Sequence, residues 1–91
     1  MTVRDNPEEQ RYEAIVDGEL AGSIRYRELD DALLLVHTEV EEGFEGQGVG
    51  GRLIAAALDD IRSRGLRMRP FCPFVKAYLE RHPEYDDLIA A

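Results

Sequence analysis

The side chains most able to do chemistry in this sequence are one cysteine, two histidines and a tyrosine near the C-terminus. Cys72 precedes Pro73 at the predicted start of a helix, where the local field lowers the pKa of a thiol. Such a thiolate could act as a nucleophile that accepts an acyl group and passes it on. The alternative is a small buried apolar side chain, which is the usual role of a lone cysteine.

The two histidines suggest different roles. His37 lies near the end of a predicted strand and could serve as general base for an amine, although a histidine on a strand face is more often structural. His82 precedes Pro83 and is expected to be a cap or surface residue. His37, His82 and Cys72 lack metal-ligand spacing, so no metal site is predicted. A cysteine hydrolase built on Cys72 and His37 has no supporting signature.

A dense glycine stretch, GFEGQGVGGRL (Gly43–Leu53), holds five of the eight glycines. It is not a P-loop, because the pair Gly51-Arg52 is followed by leucine instead of a hydroxyl residue. The dinucleotide pattern G-x-G-x-x-G matches at Gly46, Gly48 and Gly51, but the acid expected about 20 residues later is missing. The P-loop is therefore rejected, and the dinucleotide match alone is weak evidence.

A third template fits better, in which a strand ends, a glycine loop follows and an amphipathic helix begins within the loop. Unpaired N–H groups at a helix N-terminus carry partial positive charge and suit a pyrophosphate. Residues 47–52 would supply these donors, and Arg52 could add a full charge. Glu45 would repel a pyrophosphate unless its carboxylate points away or is paired.

The charge of the chain is strongly acidic, with 11 Lys and Arg against 19 Asp and Glu, a net charge of -8. This balance argues against non-specific binding to nucleic acid or to an anionic membrane. The first 45 residues hold 13 of the acidic side chains. That surface could steer a cationic substrate such as an amine, or it could be a solvated face only.

Length and composition predict a single domain over residues 1–91. One cysteine permits no intrachain disulfide, and no signal peptide or membrane span is recognised, so a cytoplasmic location is expected. A chain this short buries a small core, so stabilisation by a ligand or a partner subunit is expected, and a homodimer is one possible assembly.

Hydrophobic periodicity predicts a mixed α/β (α+β) domain with the order β-β-β-α-β-α and a mostly antiparallel sheet. The first ten residues are predicted to be a loose N-terminus, and residues 84–91 an edge segment or tail. The predicted strands are 11–16, 20–27, 32–40 and 66–71, and the predicted helices are 48–64 and 73–81.

The third strand is the most apolar. If its pleat is regular, alternate residues share a face. One predicted face then holds Leu34, Val36, Thr38 and Val40, and the other holds Leu33, Leu35, His37 and Glu39.

Three segments carry motifs, namely residues 37–40 (His-Thr-Glu-Val), 45–50 in the glycine loop and 72–78 (Cys-Pro-Phe-Val-Lys-Ala-Tyr). Together they resemble the GNAT superfamily of N-acetyltransferases. The superfamily's loop, Gln/Arg-x-x-Gly-x-Gly/Ala, is matched by residues 45–50, with Glu45 in place of Gln or Arg. A short single-domain branch shows a His-Thr-x-Val strand end and a Cys-x-x-Val-x-x-Tyr segment. Here these are residues 37–40 and 72–78, followed by His-Pro-Glu-Tyr.

The resemblance implies acetyl-CoA as co-substrate and a small-molecule or protein amine as acceptor. It implies backbone donors to the acetyl carbonyl around Glu39 and Val40. The implied pyrophosphate donors are Gln47, Gly48, Val49, Gly50, Gly51 and Arg52. It also implies that Tyr78 protonates the departing thiolate, with core packing as the alternative.

The route of transfer stays open at this point. Direct transfer is the usual route in the superfamily, and an acyl-Cys72 intermediate is the alternative. A rival function is a non-catalytic module that binds acyl-CoA or a partner protein, which Glu45 and the small acceptor pocket expected of so short a fold favour.

Overall fold

The structure is a computed structural model that describes residues 1–90; Ala91, the last residue of the predicted tail, lies outside the described part. In chain order, its strands and helices are β1 (Thr2–Asn6), β2 (Arg11–Val16), β3 (Glu19–Glu28), β4 (Ala32–Val40), α1 (Val49–Ser63), β5 (Arg67–Pro70), α2 (Pro73–Arg81) and a 3₁₀ helix (Pro83–Leu88).

One five-stranded sheet has the strand order β1-β2-β3-β4-β5. The first three pairs are antiparallel, and β4 pairs with β5 in parallel across the crossover through α1. The predicted fold class, a mixed and mostly antiparallel α/β domain, is therefore confirmed.

The predicted order β-β-β-α-β-α omits one strand, because residues 2–6 are an edge strand instead of a loose N-terminus. Val3 is its only strongly apolar residue, so no alternation reveals it. The strand is held by distant side chains instead. Arg4 Nε donates to Glu13 Oε1 at 2.9 Å, and Asn6 Nδ2 donates to Glu13 Oε2 at 3.2 Å.

Both α-helices pack on one face of the sheet, called here the helix-covered face. A Cβ added to Gly22 of β3 would lie 2.9 Å from the Glu39 carbonyl oxygen and 3.3 Å from Val49 Cγ1, so α1 approaches the sheet closely. The helical spacing predicted for α1 is confirmed by its buried residues, Val49, Gly50, Leu53, Ile54, Ala57, Leu58 and Ile61.

Two buried tyrosines on the helix-covered face form hydrogen bonds to aspartates of other elements. Tyr12 Oη donates to Asp60 of α1 at 2.6 Å, and Tyr26 Oη donates to Asp5 of β1 at 2.6 Å. Burial, and then the hydrogen bond to a carboxylate, raises the pKa of both phenols. Both phenols therefore remain protonated donors at neutral pH, and the hydrophobic layer contains no unsatisfied hydroxyl at these positions.

No helix within residues 1–90 covers the opposite face, called here the open face. Its central anchor is Glu13, which is only 2% exposed. Arg11 Nε donates to Glu13 at 2.6 Å, in addition to the bonds from β1. Burial raises the pKa of this carboxyl, but hydrogen bonds from Arg11, Arg4 and Asn6 outweigh burial and hold it below its ordinary value.

The predicted faces of β4 are wrong beyond Val36, because the strand has a bulge there. Register runs from Tyr26 opposite Leu35 directly to Arg25 opposite His37, so Val36 is an extra residue. An extra residue breaks the two-residue alternation. Leu33, Leu35, Thr38 and Val40 therefore share the helix-covered face, whereas Leu34, His37 and Glu39 share the open face.

The remaining boundaries are close to the predicted ones. Gly65, with φ 70°, follows the C-cap of α1, and α2 spans the predicted residues. After the 3₁₀ helix, Ile89 forms a parallel bridge with Met68 of β5, as expected for an edge segment. Among residues 1–90, no helix is long and apolar enough to cross a bilayer.

Candidate active site

The glycine loop between β4 and α1 owes its shape to backbone conformations that other residues rarely adopt. Gly43, Gly46 and Gly48 have φ values of 93°, 76° and 75°. Gly48 is the N-cap of α1, and its carbonyl accepts the first helical hydrogen bond from Arg52 N at 3.2 Å. The N–H groups of residues 49–51 have no acceptor within the helix, as at every helix N-terminus.

Glu45, the departure from the superfamily motif, is engaged by its own loop. Its Oε2 accepts a hydrogen bond from Gly43 N at 3.0 Å. Gln47 Nε2 donates to the Gly43 carbonyl at 3.3 Å, so both side chains brace the same turn. This hydrogen bond holds the Glu45 carboxylate at the turn, but its negative charge stays beside the loop.

Two neighbouring cavities adjoin the first turn of α1. The loop cavity, of about 360 Å³, is lined by Val40, Phe44, Glu45, Gly46, Gly48, Val49, Gly50, Gly51 and Phe74. The interhelix cavity, of about 500 Å³, is lined by Gly51, Phe74, Ala77, Tyr78 and Arg81. Because both are lined by Gly51 and Phe74, they form a path from the loop along the seam between α1 and α2.

Gly50 is required by this path. A Cβ at Gly50 would lie 2.8 Å from Phe74 Cζ, so the aromatic ring rests against the bare backbone of α1. A Cβ at Gly51 would lie 4.0 Å from Tyr78 Cε2, which is ordinary contact. The Phe74 ring can therefore lie where it does only because residue 50 has no side chain, whereas a side chain at position 51 would make no clash.

A gap opens between β4 and β5 beside these cavities. The parallel pairing ends at Leu35 and Pro70. The N–H groups of Phe71 and Cys72 both donate to the Leu35 carbonyl, at 3.0 and 2.9 Å, and α2 then begins. The edge of β4 beyond Leu35 therefore has no strand partner on the β5 side within residues 1–90.

The alternation of β4 identifies the backbone groups at this gap. Glu41 N donates to the Ala21 carbonyl of β3 at 2.8 Å. In an antiparallel strand, successive residues direct their N–H and C=O groups to opposite sides. Glu39 is therefore turned toward β3, and Thr38 and Val40 are turned toward the gap. This alternation favours Thr38 and Val40 over Glu39 as backbone donors there.

Cys72 is the N-cap of α2 and lies on the helix-covered side of the gap. Its Sγ is 3.4 Å from Thr38 Oγ1, and the residue is only 2% exposed. Burial raises the pKa of the thiol, but the hydrogen bond that joins it to the Thr38 hydroxyl and the nearby backbone N–H groups at the start of α2 lower it below its ordinary value. The surroundings therefore lower the pKa of the thiol, while access to it is narrow.

His37 lies on the open face and is exposed. Its Cα partner on β3 is Arg25. As the neighbour of Thr38 in the strand, it lies on the opposite side of β4 from Thr38 and hence from Cys72, and the bulge at Val36 makes this side the open face. His37 and Cys72 therefore flank the same strand without meeting, which suits two different reaction partners better than one charge-relay pair.

Tyr78 lines the interhelix cavity and stacks on His82, with ring centroids 4.1 Å apart. Burial, followed by the negative charges of Glu84 and Asp59, raises the pKa of its phenol. A protonated phenol in this cavity could donate a proton. No hydrogen bond within residues 1–90 joins Tyr78, Cys72 and His37 to one another, and no group of side chains there could hold a metal ion.

Residues 11–88 match the sequence profile of a family described as GCN5-related N-acetyl-transferase. The chain belongs to this family. The predicted class of enzyme, N-acetyltransferase, is confirmed at the level of the family. The GNAT fold that the motifs imply is the one that the structure has.

Individual relatives agree with this assignment. The chain is 33% identical to Protein NATD1 of Xenopus tropicalis over 49 residues, which is 54% of this chain and 45% of that protein. The match thus spans less than half of that relative. An NMR structure of a GCN5-like N-acetyltransferase candidate from Staphylococcus aureus superposes with a TM-score of 0.72 at 26% identity. It covers 99% of this chain and 88% of that chain.

A more distant structure shows the fold alone. The crystal structure of ribosomal-protein-alanine N-acetyltransferase from Brucella melitensis has a TM-score of 0.60 and 24% identity. It covers 89% of this chain and 61% of that chain.

Three cavity residues of this GNAT chain are absent from the predicted site, namely Phe74, Ala77 and Arg81. They share one face of α2 with Tyr78, at the helical spacing i, i+3, i+4 and i+7. That spacing is visible in the sequence. It does not reveal that the face lies against the glycine-rich turn of α1, because this contact is between residues distant in sequence.

Proposed function

We propose that this chain is an acetyl-CoA-dependent N-acetyltransferase in which the co-substrate and the acceptor amine approach β4 from opposite faces. The observation that carries the proposal is the unpartnered edge of β4. It lies between the loop cavity on the helix-covered face and His37 on the open face. A strand edge whose Val40 N–H is turned toward the gap, reachable from both faces, suits transfer between two bound molecules.

The residues around the loop fit a pyrophosphate and its pantetheine arm. The N–H groups of Val49, Gly50 and Gly51 offer donors at the positive end of the α1 dipole. The proposal also includes Gly48, which sets the loop conformation, and Gln47 and Arg52, which flank it. Arg81 supplies a further cation in the interhelix cavity, where the adjoining part of the co-substrate would lie.

The thioester supplies the acetyl group, and the chain supplies positioned proton donors and acceptors. The Val40 N–H, turned toward the gap, donates to the carbonyl oxygen as its charge develops. His37 accepts the proton that the amine loses as the new N–C bond forms. Tyr78 holds a proton for the sulfur that departs as the C–S bond breaks.

We propose direct transfer over an acyl-Cys72 intermediate. Cys72 is on the helix-covered side and only 2% exposed, whereas an amine that approaches from the open face meets His37 first. The lowered pKa of Cys72 is explained by its place at the N-terminus of α2 and by its bond to Thr38. The cysteine is then a buried core residue at the N-cap position of α2, which can be tested separately.

The second candidate is a module that binds acyl-CoA without transferring the acyl group. The specific observation in its favour is the open face itself, since no helix within residues 1–90 encloses an acceptor there. On this alternative the loop and interhelix cavities would still bind the ligand.

The test combines calorimetry with product analysis. Purified protein is titrated with acetyl-CoA and then incubated with acetyl-CoA and a broad panel of amines, with intact mass recorded before and after. We expect saturable binding and acetylated amine, with no stable change in the mass of the protein. No heat of binding at millimolar acetyl-CoA would reject the transferase, and binding without any product would favour the module.

Two variants separate the routes. Direct transfer predicts that Cys72→Ala keeps its activity once corrected for folded fraction, and that Thr38→Val behaves in the same way. A protein adduct with the mass of one acetyl group, present in the parent and missing from Cys72→Ala, would establish the cysteine route instead.

A further inference from the structure

The open face carries arginines that no carboxylate neutralises, although the chain has an excess of acids. Across β2, β3 and β4, the residues Arg11, Arg25 and His37 face one another in register. Arg11 is paired with Glu13, whereas Arg25 is exposed and has no hydrogen-bond or ion-pair partner among residues 1–90. Like charges on directly opposed strand positions are destabilising. The stability of the fold therefore does not explain why Arg11, Arg25 and His37 lie side by side.

Arg27 extends the same feature. It lies two residues from Arg25 on the same face, is exposed, and likewise has no partner in the described part of the chain. A small cavity of about 160 Å³ is lined by Gln10, Arg25, Tyr26, Arg27 and Val36. Two guanidinium groups beside a shallow concavity offer the forked donors that bind a carboxylate with two hydrogen bonds.

The bulge connects this cavity with the proposed reaction centre. Val36, the extra residue of β4, lines the cavity, and His37 follows it directly. Arg25 and His37 are opposed residues on neighbouring strands, with Cα atoms about 5 Å apart. A molecule whose amine lies at His37 could therefore place an acid group between Arg25 and Arg27.

Glu39 completes the arrangement on the other side of His37. It shares the open face, is exposed, and has no hydrogen-bond or ion-pair partner among residues 1–90. Its carboxylate could attract an ammonium group before that group is deprotonated. The order of side chains is thus cationic at Arg25 and Arg27, basic at His37 and anionic at Glu39. This order would orient a molecule that carries both an amine and an acid.

We propose that the acceptor is an amine with a carboxylate close to it, and that Arg25 and Arg27 bind this carboxylate. The inference rests on the proposed function, because it gives the acceptor class for the same reaction. Free amino acids and peptides with an acidic residue beside the reactive amine share this chemistry. The excess of acidic side chains elsewhere repels such a ligand from other surfaces, which makes the arginine pair the favoured place of contact.

The experiment compares matched acceptors that differ only in charge. Glutamate is compared with its diamide, and a peptide beginning Asp-Ala with one beginning Asn-Ala, with kcat/KM measured for each. We expect at least about a tenfold preference for the acid form in one of the two pairs. The pair with the larger preference identifies a free amino acid or a peptide as the source.

Variants link the preference to the arginines. In Arg25→Gln and Arg27→Gln, kcat/KM for the acid form is expected to fall about tenfold, with little change for the amide form. Arg25→Lys is expected to recover part of the loss. Arg67→Gln, an exposed arginine on β5, removes the same charge elsewhere and serves as the matched control. Equal kcat/KM for acid and amide, or equal losses for both in the arginine variants, would overturn the proposal.

A binding experiment distinguishes failure of the arginine site from failure of the proposed function. The acid and amide acceptors are titrated into the protein without acetyl-CoA, and amide chemical shifts of β3 and β4 are recorded by NMR. Shifts for the acid form alone, lost in Arg25→Gln, support the arginine site even if no transfer occurs. Absence of shifts for both forms, with normal acetyl-CoA transfer to other amines, rejects the site and leaves the proposed function intact.

Discussion

The two faces of the sheet differ in what holds them together. On the helix-covered face, buried aliphatic side chains pack under α1 and α2, and Tyr12 and Tyr26 close the layer with hydrogen bonds to aspartates. On the open face, one buried carboxylate, Glu13, organises arginines that are otherwise in water. Stability is therefore concentrated on the first face. The second face is free to carry charges that folding does not require.

The largest predicted effect is on the free energy of unfolding, compared for two leucines that lie on different faces of the sheet. Leu53 of α1 is fully buried on the helix-covered face, whereas Leu34 of β4 is half-buried on the open face. We expect Leu53→Ala to lower the free energy of unfolding by about 3 kcal/mol and Leu34→Ala by about 1 kcal/mol. Urea denaturation of both variants measures the gap. Equal losses would mean that the open face is covered in solution.

A smaller effect is expected at the anchor of the open face. Glu13→Gln replaces a buried carboxylate that accepts charged hydrogen bonds, so we expect a loss of about 2 kcal/mol near neutral pH. Because the pKa of Glu13 is lowered in the folded protein, its contribution is complete above about pH 5 and disappears as the pH falls through the folded value.

The check is a pair of denaturation series, one near neutral pH and one in acid, for the parent, Glu13→Gln and the exposed control Glu19→Gln. The difference between parent and Glu13→Gln should shrink in acid, while Glu19→Gln should match the parent throughout. A difference that grows in acid would contradict the assigned direction of the pKa shift.

Two glycines at the start of α1 give the next comparison. Gly48 has φ 75°, so Gly48→Ala is strained and should cost about 1 kcal/mol. Gly51 lies inside the helix with only ordinary contact at its Cβ position, so Gly51→Ala should be neutral or stabilising by up to about 1 kcal/mol. Thermal denaturation distinguishes the two. A stable Gly48→Ala would show that the loop can change conformation.

The smallest effect on stability is expected on the open face at His37. His37→Gln removes an exposed side chain, so the free energy of unfolding should change by less than about 0.5 kcal/mol. If His37 is the general base, kcat should nevertheless fall about 100-fold, whereas the affinity for acetyl-CoA should not change. Unchanged kcat with the preferred acceptor would remove His37 from the mechanism.

Local sequence patterns predict much of this molecule but not its long-range contacts. The spacing of Val49, Leu53 and Leu58 predicts α1, and Pro73 marks the first residue of α2, because these signals are local. β1 is missed because its support comes from Glu13 on the next strand.

The site is predictable in part for the same reason. The glycine loop and its helix are visible in the sequence, and so are the residue types at His37, Cys72 and Tyr78. The side of β4 on which each lies is not, because the bulge at Val36 reverses the alternation. The hydrogen bond from Gly43 to Glu45 also depends on loop geometry that the motif does not specify.

The extra residue at Val36 has a consequence for how this chain tolerates changes in length. With Val36 deleted, His37 would follow Leu35 directly, and regular pleating would leave the imidazole on the open face and the Thr38 side chain under the helices. A strand that kept Val36 but lost the bulge would instead turn the imidazole under the helices and expose the Thr38 side chain to water. The assignment of acceptor and co-substrate to the two sides of the strand therefore tolerates loss of the extra residue, but not a regular pleat that includes it.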